Sequence, residues 1–214
     1  MHILYYSPGA CSLAPHIVLE ETGILFEARR VSIADGELRS ADYRAINPKE
    51  RVPALAVDGE VLTEVPALLA YLASLAPAAE LVPPAGTVAF GRCFELMAFL
   101  SSSLHIAYAQ LWRPERFLPE DFAGRGAFTE QGRKTVRRHS AEIEAGLGGE
   151  WALGPRYSIA DAYLFPFYRW GVRIGLAMAD EHPRWTAWKD RMIRRPAVIR
   201  AVGREGIGFD WAPV

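Results

Sequence analysis

The sequence predicts an α/β domain of order βαβαββα followed by an all-helical domain. Three observations predict it. Strand-like and helix-like segments alternate through the first part of the chain. A Pro-rich stretch, residues 77–86, then interrupts the pattern, and beyond it apolar residues recur only at helical spacing. The expected boundaries are residues 1–77 for the first domain, 78–87 for a linker and 88–214 for the helical domain. The chain has 214 residues, half of them hydrophobic, which is enough for a substantial core.

The first strand is the short apolar-aromatic run His2-Ile3-Leu4-Tyr5-Tyr6, broken by Ser7-Pro8-Gly9-Ala10. A helix is expected over 12–22, with Cys11 immediately before it. A second strand is expected over 26–33 and a short helix over 40–46. Ala54-Leu55-Ala56-Val57 and Val61-Leu62 flank Asp58-Gly59, and a DG step between apolar runs signals a hairpin. Leu68, Leu69, Leu72 and Leu75 place a helix over 66–76. The first strands are joined by crossover helices and pair in parallel; the last two form the hairpin. In the second half, helices are expected over 88–111, 128–147, 159–174, 185–194 and 197–204. Ser158 and Asp161 have the spacing of an acidic capping box at the start of the third of these.

Charge is nearly balanced at −1, with no block of like charge that would favour nucleic acid or anionic lipid. No apolar run is long enough to cross a bilayer. The two cysteines, Cys11 and Cys93, are too few for a secreted disulfide scaffold, and no signal peptide is apparent. These features point to a cytoplasmic protein. No Cys/His ligand spacing, P-loop, GxGxxG or GxSxG pattern occurs, so no metal site is expected.

Cys11 carries the strongest chemical signal. A thiol at a helix start faces the positive end of the helix dipole, which lowers its pKa and favours the thiolate. Tyr6 and Ser12 are neighbours able to donate to that thiolate, although Tyr6 fits a strand core equally well. The sequence Cys11-Ser12-Leu13-Ala14 lacks a second cysteine, which disfavours an internal dithiol cycle and favours an external thiol. Cys93, among Phe94, Leu96 and Met97, reads as a core residue.

Taken together, these pieces resemble the cytosolic glutathione transferases over nearly the whole chain. Tyr5 to His16 (YYSPGACSLAPH) is similar to the bacterial beta-class subgroup, Asn47 to Leu55 (NPKERVPAL) to that family's proline loop, and Ser101 to His105 (SSSLH) to the stretch through which the second domain adds a histidine. The resemblance implies a thioredoxin-like domain followed by a helical domain, usually as a homodimer. It implies that Val52-Pro53 is a cis peptide, although sequence alone favours trans, and that the Val52 backbone pairs with the cysteinyl part of glutathione. Glutathione is then the co-substrate, with its sulfur near Cys11 and near His105. Arg51 is placed to reach the glycyl carboxylate. Glu64 and Val65 stand where the family has an acidic or amide residue followed by serine. The helix N-terminus would hold the γ-glutamyl carboxylate there, but Val65 keeps only the backbone N–H. Tyr108 and Trp112 are candidates for an apolar pocket taking a small hydrophobic electrophile; Leu104, Leu111 and Phe117 are further candidates, the leucines fitting helix core better. Two other readings remain: glutathione-dependent thiol–disulfide exchange through Cys11, and a non-catalytic protein binding hydrophobic ligands.

Overall fold

The computed structural model describes residues 1–212; the last two residues of the expected helical domain lie outside them. Strand β1 (His2–Tyr6) is followed by α1 (Leu13–Thr22), β2 (Phe26–Arg30), α2 (Ala41–Ile46), the hairpin β3 (Ala54–Val57) and β4 (Glu60–Thr63), and α3 (Val65–Leu75). The sheet order is β2-β1-β3-β4. β1 pairs with β2 in parallel, as the crossover through α1 requires, whereas β3 runs antiparallel to β1 and β4 antiparallel to β3.

Local chemistry explains these boundaries. Alternation along β1 sends Leu4 and Tyr6 into the main core and Tyr5 to the other face, against Tyr43 of α2. Gly23, left-handed at φ 69°, ends α1. The Ser40 hydroxyl accepts from Tyr43 N–H and caps α2. Asp58 and Gly59 both take positive φ, the conformation of a two-residue hairpin turn. The second strand stops at Arg30, short of residue 33, because the Tyr6 carbonyl accepts the last ladder-like bond from Val31 and the chain then turns through Ser32 and Glu37.

After a short 3₁₀ turn, Pro77–Ala79, and an irregular segment, helices follow: α4 (Val88–Phe99), α5 (His105–Trp112), α6 (Arg125–Gly146), α7 (Ile159–Arg173), α8 (Met178–Glu181), α9 (Pro183–Met192) and α10 (Pro196–Glu205). The helix expected over 88–111 is not continuous. A π-helical turn, Leu100–Leu104, separates α4 from α5. Ser101 and Ser102 both turn their hydroxyls back onto the Ala98 carbonyl, at 3.1 and 2.8 Å, competing with the regular ladder. Helix α1 packs against α3 on one side and against α7 and α10 on the other, so one buried core joins the sheet to the helices. Among the described residues no helix is long and apolar enough to cross a membrane.

Candidate active site

A cleft of about 1200 Å³ lies between the sheet end of the molecule and the helices. Its floor is the loop after β1, whose conformation is set from several sides. Ser12 Oγ accepts from Ser7 N–H and donates to the Ser7 carbonyl, at 3.1 and 3.2 Å. Gly9 adopts φ +69°, and its N–H donates to Glu205 of α10 at 2.8 Å. The Gly9 carbonyl accepts from Trp170 Nε1 of α7 at 2.9 Å. A Cβ on Gly9 would lie 2.4 Å from Arg169 Nη1, so only glycine fits without displacement.

Cys11 lines this cleft but is only 7% exposed. Its Sγ donates to the Val52 carbonyl at 3.5 Å. The lowered thiol pKa expected from the helix start is not found. Burial pushes the Cys11 pKa up to about 12, and the Glu64 and Glu205 carboxylates add to the effect. Backbone N–H donation from Cys11 and Ser12 acts in the opposite direction and is outweighed, because desolvation of a thiolate costs more than a partial helix charge returns. The resting group is therefore a thiol that can donate.

Tyr6 and Ser12, expected as donors to a thiolate, do not line the cleft. Tyr6 packs in the main core against His16, ring centroids 5.3 Å apart, because strand alternation turns it inward. Ser12 is fully buried and committed to Ser7. Cys93 is buried in the core, as read from its neighbours.

The remaining candidates converge. Arg51, Val52, Pro53, Glu64, Val65, His105, Tyr108 and Trp112 all line the cleft. Val52-Pro53 is cis. Tyr43 Oη and Asn47 Nδ2 both donate to the Arg51 carbonyl, at 2.7 and 2.6 Å, and fix the proline loop. Val65 opens α3, where the first amides have no intrahelical partner. Glu64 before it holds φ 71°, and Lys49 Nζ bridges Glu64 Oε1 and Thr63 Oγ1 at 2.8 and 2.9 Å.

The π turn brings Ser101 and His105 to the cleft together. The His105 ring sits against Phe167 and Trp170, and burial lowers its pKa to about 4, helped by the nearby charges of Arg116 and Arg51. It is neutral near pH 7, so it can offer a hydrogen bond there but no charge. Tyr108, almost fully buried, donates its hydroxyl to the Phe167 carbonyl at 3.3 Å, and its ring packs behind Trp112 and Trp170. Trp112, 40% exposed, stacks near Tyr108 and Trp170. Of the other apolar candidates, Leu104 is core and Leu111 packs against it; Phe117 pairs with Phe128 away from the cleft lining.

Sequence reading missed Lys49, Tyr163, Trp170, Arg113 and Arg116, which also line the cleft. Lys49 lay within the proline-loop motif and was a readable signal. Tyr163 and Trp170 belong to an apolar helix whose inward residues look alike in sequence.

Residues 9–75 match the sequence profile of the glutathione S-transferase N-terminal domain, and residues 116–196 that of the C-terminal domain. The chain belongs to the glutathione S-transferase family. Glutathione S-transferase GstA of Escherichia coli O157:H7 is 36% identical over 212 residues, an alignment covering 95% of this chain and 98% of that one. A glutathione transferase homologue from Sulfitobacter, solved with bound glutathione, superposes with a TM-score of 0.91 at 35% identity, covering 97% and 99% of the two chains. A bacterial beta-class glutathione S-transferase from Sphingomonas chungbukensis superposes at 0.82 with 36% identity, covering 96% and 100%. The thioredoxin-like plus helical architecture and the beta-class likeness thus agree with the resemblance carried by the opening motif and the proline loop.

Proposed function

We propose that this glutathione S-transferase binds glutathione along the proline loop and conjugates its sulfur to small hydrophobic electrophiles. The observation that carries the reading is the convergence, in one cleft, of the Cys11 thiol, the Val52 backbone, the α3 N-terminus and His105. The Val52 backbone pairs with the cysteinyl portion, Arg51 takes the glycyl carboxylate through its fork of donors, and the Val65 amide with Glu64 and Lys49 orients the γ-glutamyl end. Cys11 S–H, released from the Val52 carbonyl, donates to the glutathione sulfur, and His105 supplies a second donor. These bonds favour the thiolate of glutathione. Its sulfur forms a bond to the electrophilic carbon while the leaving group departs with its electron pair; the displaced thiol proton goes to solvent. Held in place, the reactants avoid the entropy cost of a bimolecular encounter.

A thiol whose pKa is pushed up to about 12 is a poor resting nucleophile, which weighs against disulfide exchange through Cys11. The protein acts as a cytoplasmic homodimer on this reading, as family members usually do.

The test is calorimetric titration with glutathione, joined to a conjugation assay with 1-chloro-2,4-dinitrobenzene. Binding and conjugation are expected; hydrophobic-ligand binding without glutathione binding would instead establish the non-catalytic reading. Val65→Ser restores a hydroxyl at the α3 N-terminus. One hydrogen bond to a charged group is worth about 1.5–3 kcal/mol, so the variant should bind glutathione roughly tenfold or more tightly. An unchanged Kd would show that the γ-glutamyl end is held elsewhere.

A further inference from the structure

The charges lining the cleft are not balanced within it. Each of the carboxylates in its lining is already paired. Glu50 accepts from Arg44 at 2.6 Å, Glu64 from Lys49 at 2.8 Å, and Glu115 lies 3.6 Å from Arg125. The guanidinium groups of Arg51, Arg113 and Arg116 also line the cleft, yet none has an ion-pair or hydrogen-bond partner among the described residues.

These cations are close enough to act on one another. Burial is the larger cause of the lowered pKa at both Arg116 and His105, but the charges of Arg51 and Arg113 add to it at Arg116, and those of Arg116 and Arg51 add to it at His105. Like charges gathered in a cleft repel, and low-dielectric walls focus their field onto whatever enters. An anion relieves that repulsion. Arg30 and Arg173 also line the cleft without a partner among the described residues, so the surplus is wider than three groups. Arg51 is accounted for by the glycyl carboxylate of glutathione on the proposed reading, and of the others Arg113 and Arg116 are the two next to Trp112 in the chain. Arg113 follows Trp112 directly as the C-cap of α5, and Arg116 ends the short 3₁₀ turn Pro114–Arg116 that comes next, so both adjoin the aromatic wall that Trp112 and Tyr108 begin.

We propose that Arg113 and Arg116 form an anion subsite for the second substrate, which is an aromatic electrophile carrying a carboxylate or sulfonate group. The ring lies against Trp112, which Tyr108 backs from the core, and the anionic group is held by the two guanidiniums, whose planar forks suit such oxyanions. This inference rests on the conjugation reading but concerns which electrophile is chosen, not how the thiolate is made. In each reaction the glutathione sulfur bonds to the ring carbon bearing chlorine, and chloride leaves with the bonding pair.

The experiment compares 4-chloro-3,5-dinitrobenzoate with the neutral 1-chloro-2,6-dinitrobenzene, which keeps both nitro groups beside the chlorine and lacks only the carboxylate. For the unaltered protein, the KM of the benzoate should rise with added salt while that of the neutral compound stays level, since screening weakens an exposed charge contact. In Arg113→Gln/Arg116→Gln, the ratio of kcat/KM for the anionic over the neutral substrate should fall about tenfold or more. Arg113→Lys/Arg116→Lys should retain part of the ratio. An unchanged ratio in the glutamine variant, or salt sensitivity equal for both substrates, overturns the proposal.

If neither compound is conjugated, the reaction reading fails, and the subsite is tested separately by titrating unreactive 3,5-dinitrobenzoate. Binding weakened about tenfold in the glutamine variant supports the subsite. No binding to the unaltered protein, or equal binding to both proteins, refutes it.

Discussion

At the scale of single residues, Cys11 and His105 show burial overriding the simpler electrostatic expectation. A helix start favours a thiolate, but a nearly buried sulfur loses more hydration energy than a helix end returns. On the proposed reading the thiol serves as a donor to the glutathione sulfur. Cys11→Ala should lower kcat/KM for conjugation by roughly tenfold, the worth of one hydrogen bond to a charged group, whereas Cys11→Ser, which keeps an O–H donor, should lose less. Equal activity in all three proteins would remove Cys11 from the chemistry. His105 makes a separate pH prediction. Its folded-state pKa of about 4 lies below the ordinary 6.5. Above pH 6.5 neither state binds the proton. Between 6.5 and 4 the unfolded chain binds it and the folded chain does not, so stability falls on acidification. From pH 7 to pH 5 the unaltered protein should lose about 2 kcal/mol more than His105→Phe, read from denaturant midpoints at the two pH values. Parallel losses would show that the imidazole does not resist protonation.

At the scale of elements, α7 depends on a buried carboxylate. Asp161, fully buried, accepts from Ser158 N–H and Oγ at its own helix start, at 2.9 and 3.1 Å. It also accepts from Ala152 N–H at 2.7 Å and from Trp188 Nε1 of α9 at 2.8 Å. The capping role was legible from the spacing of Ser158 and Asp161 alone. The reach to Ala152 and Trp188 was not, because those residues meet Asp161 only through packing. Asp161→Ala would leave several buried donors unpaired and should cost about 3–5 kcal/mol in an equilibrium denaturation experiment. A cost under about 1 kcal/mol, that of a lost surface cap, would contradict the network. The π turn between α4 and α5 has the same character. The three serines were visible, and they matched a family motif, but apolar spacing ran through them as one helix. Whether serine side chains point outward or fold back onto a carbonyl is decided by what packs around the helix.

At the scale of the whole molecule, the cleft is assembled by contacts between distant parts of the chain. Glu205 of α10 accepts from Gly9 N–H at 2.8 Å and pairs with His16 Nδ1 of α1 at 2.9 Å, all of it buried. The C-terminal helix therefore holds the loop that presents Cys11. Glu205→Ala removes the acceptor from a buried amide and a buried imidazole. It should destabilise the protein by about 2–4 kcal/mol and speed modification of Cys11 by a thiol reagent in the folded state. Destabilisation with unchanged labelling kinetics would mean that the loop is held by α7 alone.

Local sequence signals sufficed for the βαβαββα order of the first part, the DG hairpin, the change to helices after the Pro-rich stretch and the family, but not for the π turn at Leu100–Leu104 or the short helix Met178–Glu181. The signals that sufficed are local periodicity, turn residues and contiguous motifs. The sequence also named most of the cleft residues, since Cys11, the proline loop, Glu64-Val65 and His105 sit in recognisable stretches. Tertiary structure alone decided that β3 runs antiparallel to β1 and that Tyr6 and Ser12 face inward. It alone decided that Cys11 is protonated and that Arg113 and Arg116 stand unpaired beside the aromatic wall. Ionisation and charge balance depend on desolvation and on neighbours brought in from far along the chain, and neither quantity is written in the spacing of residues.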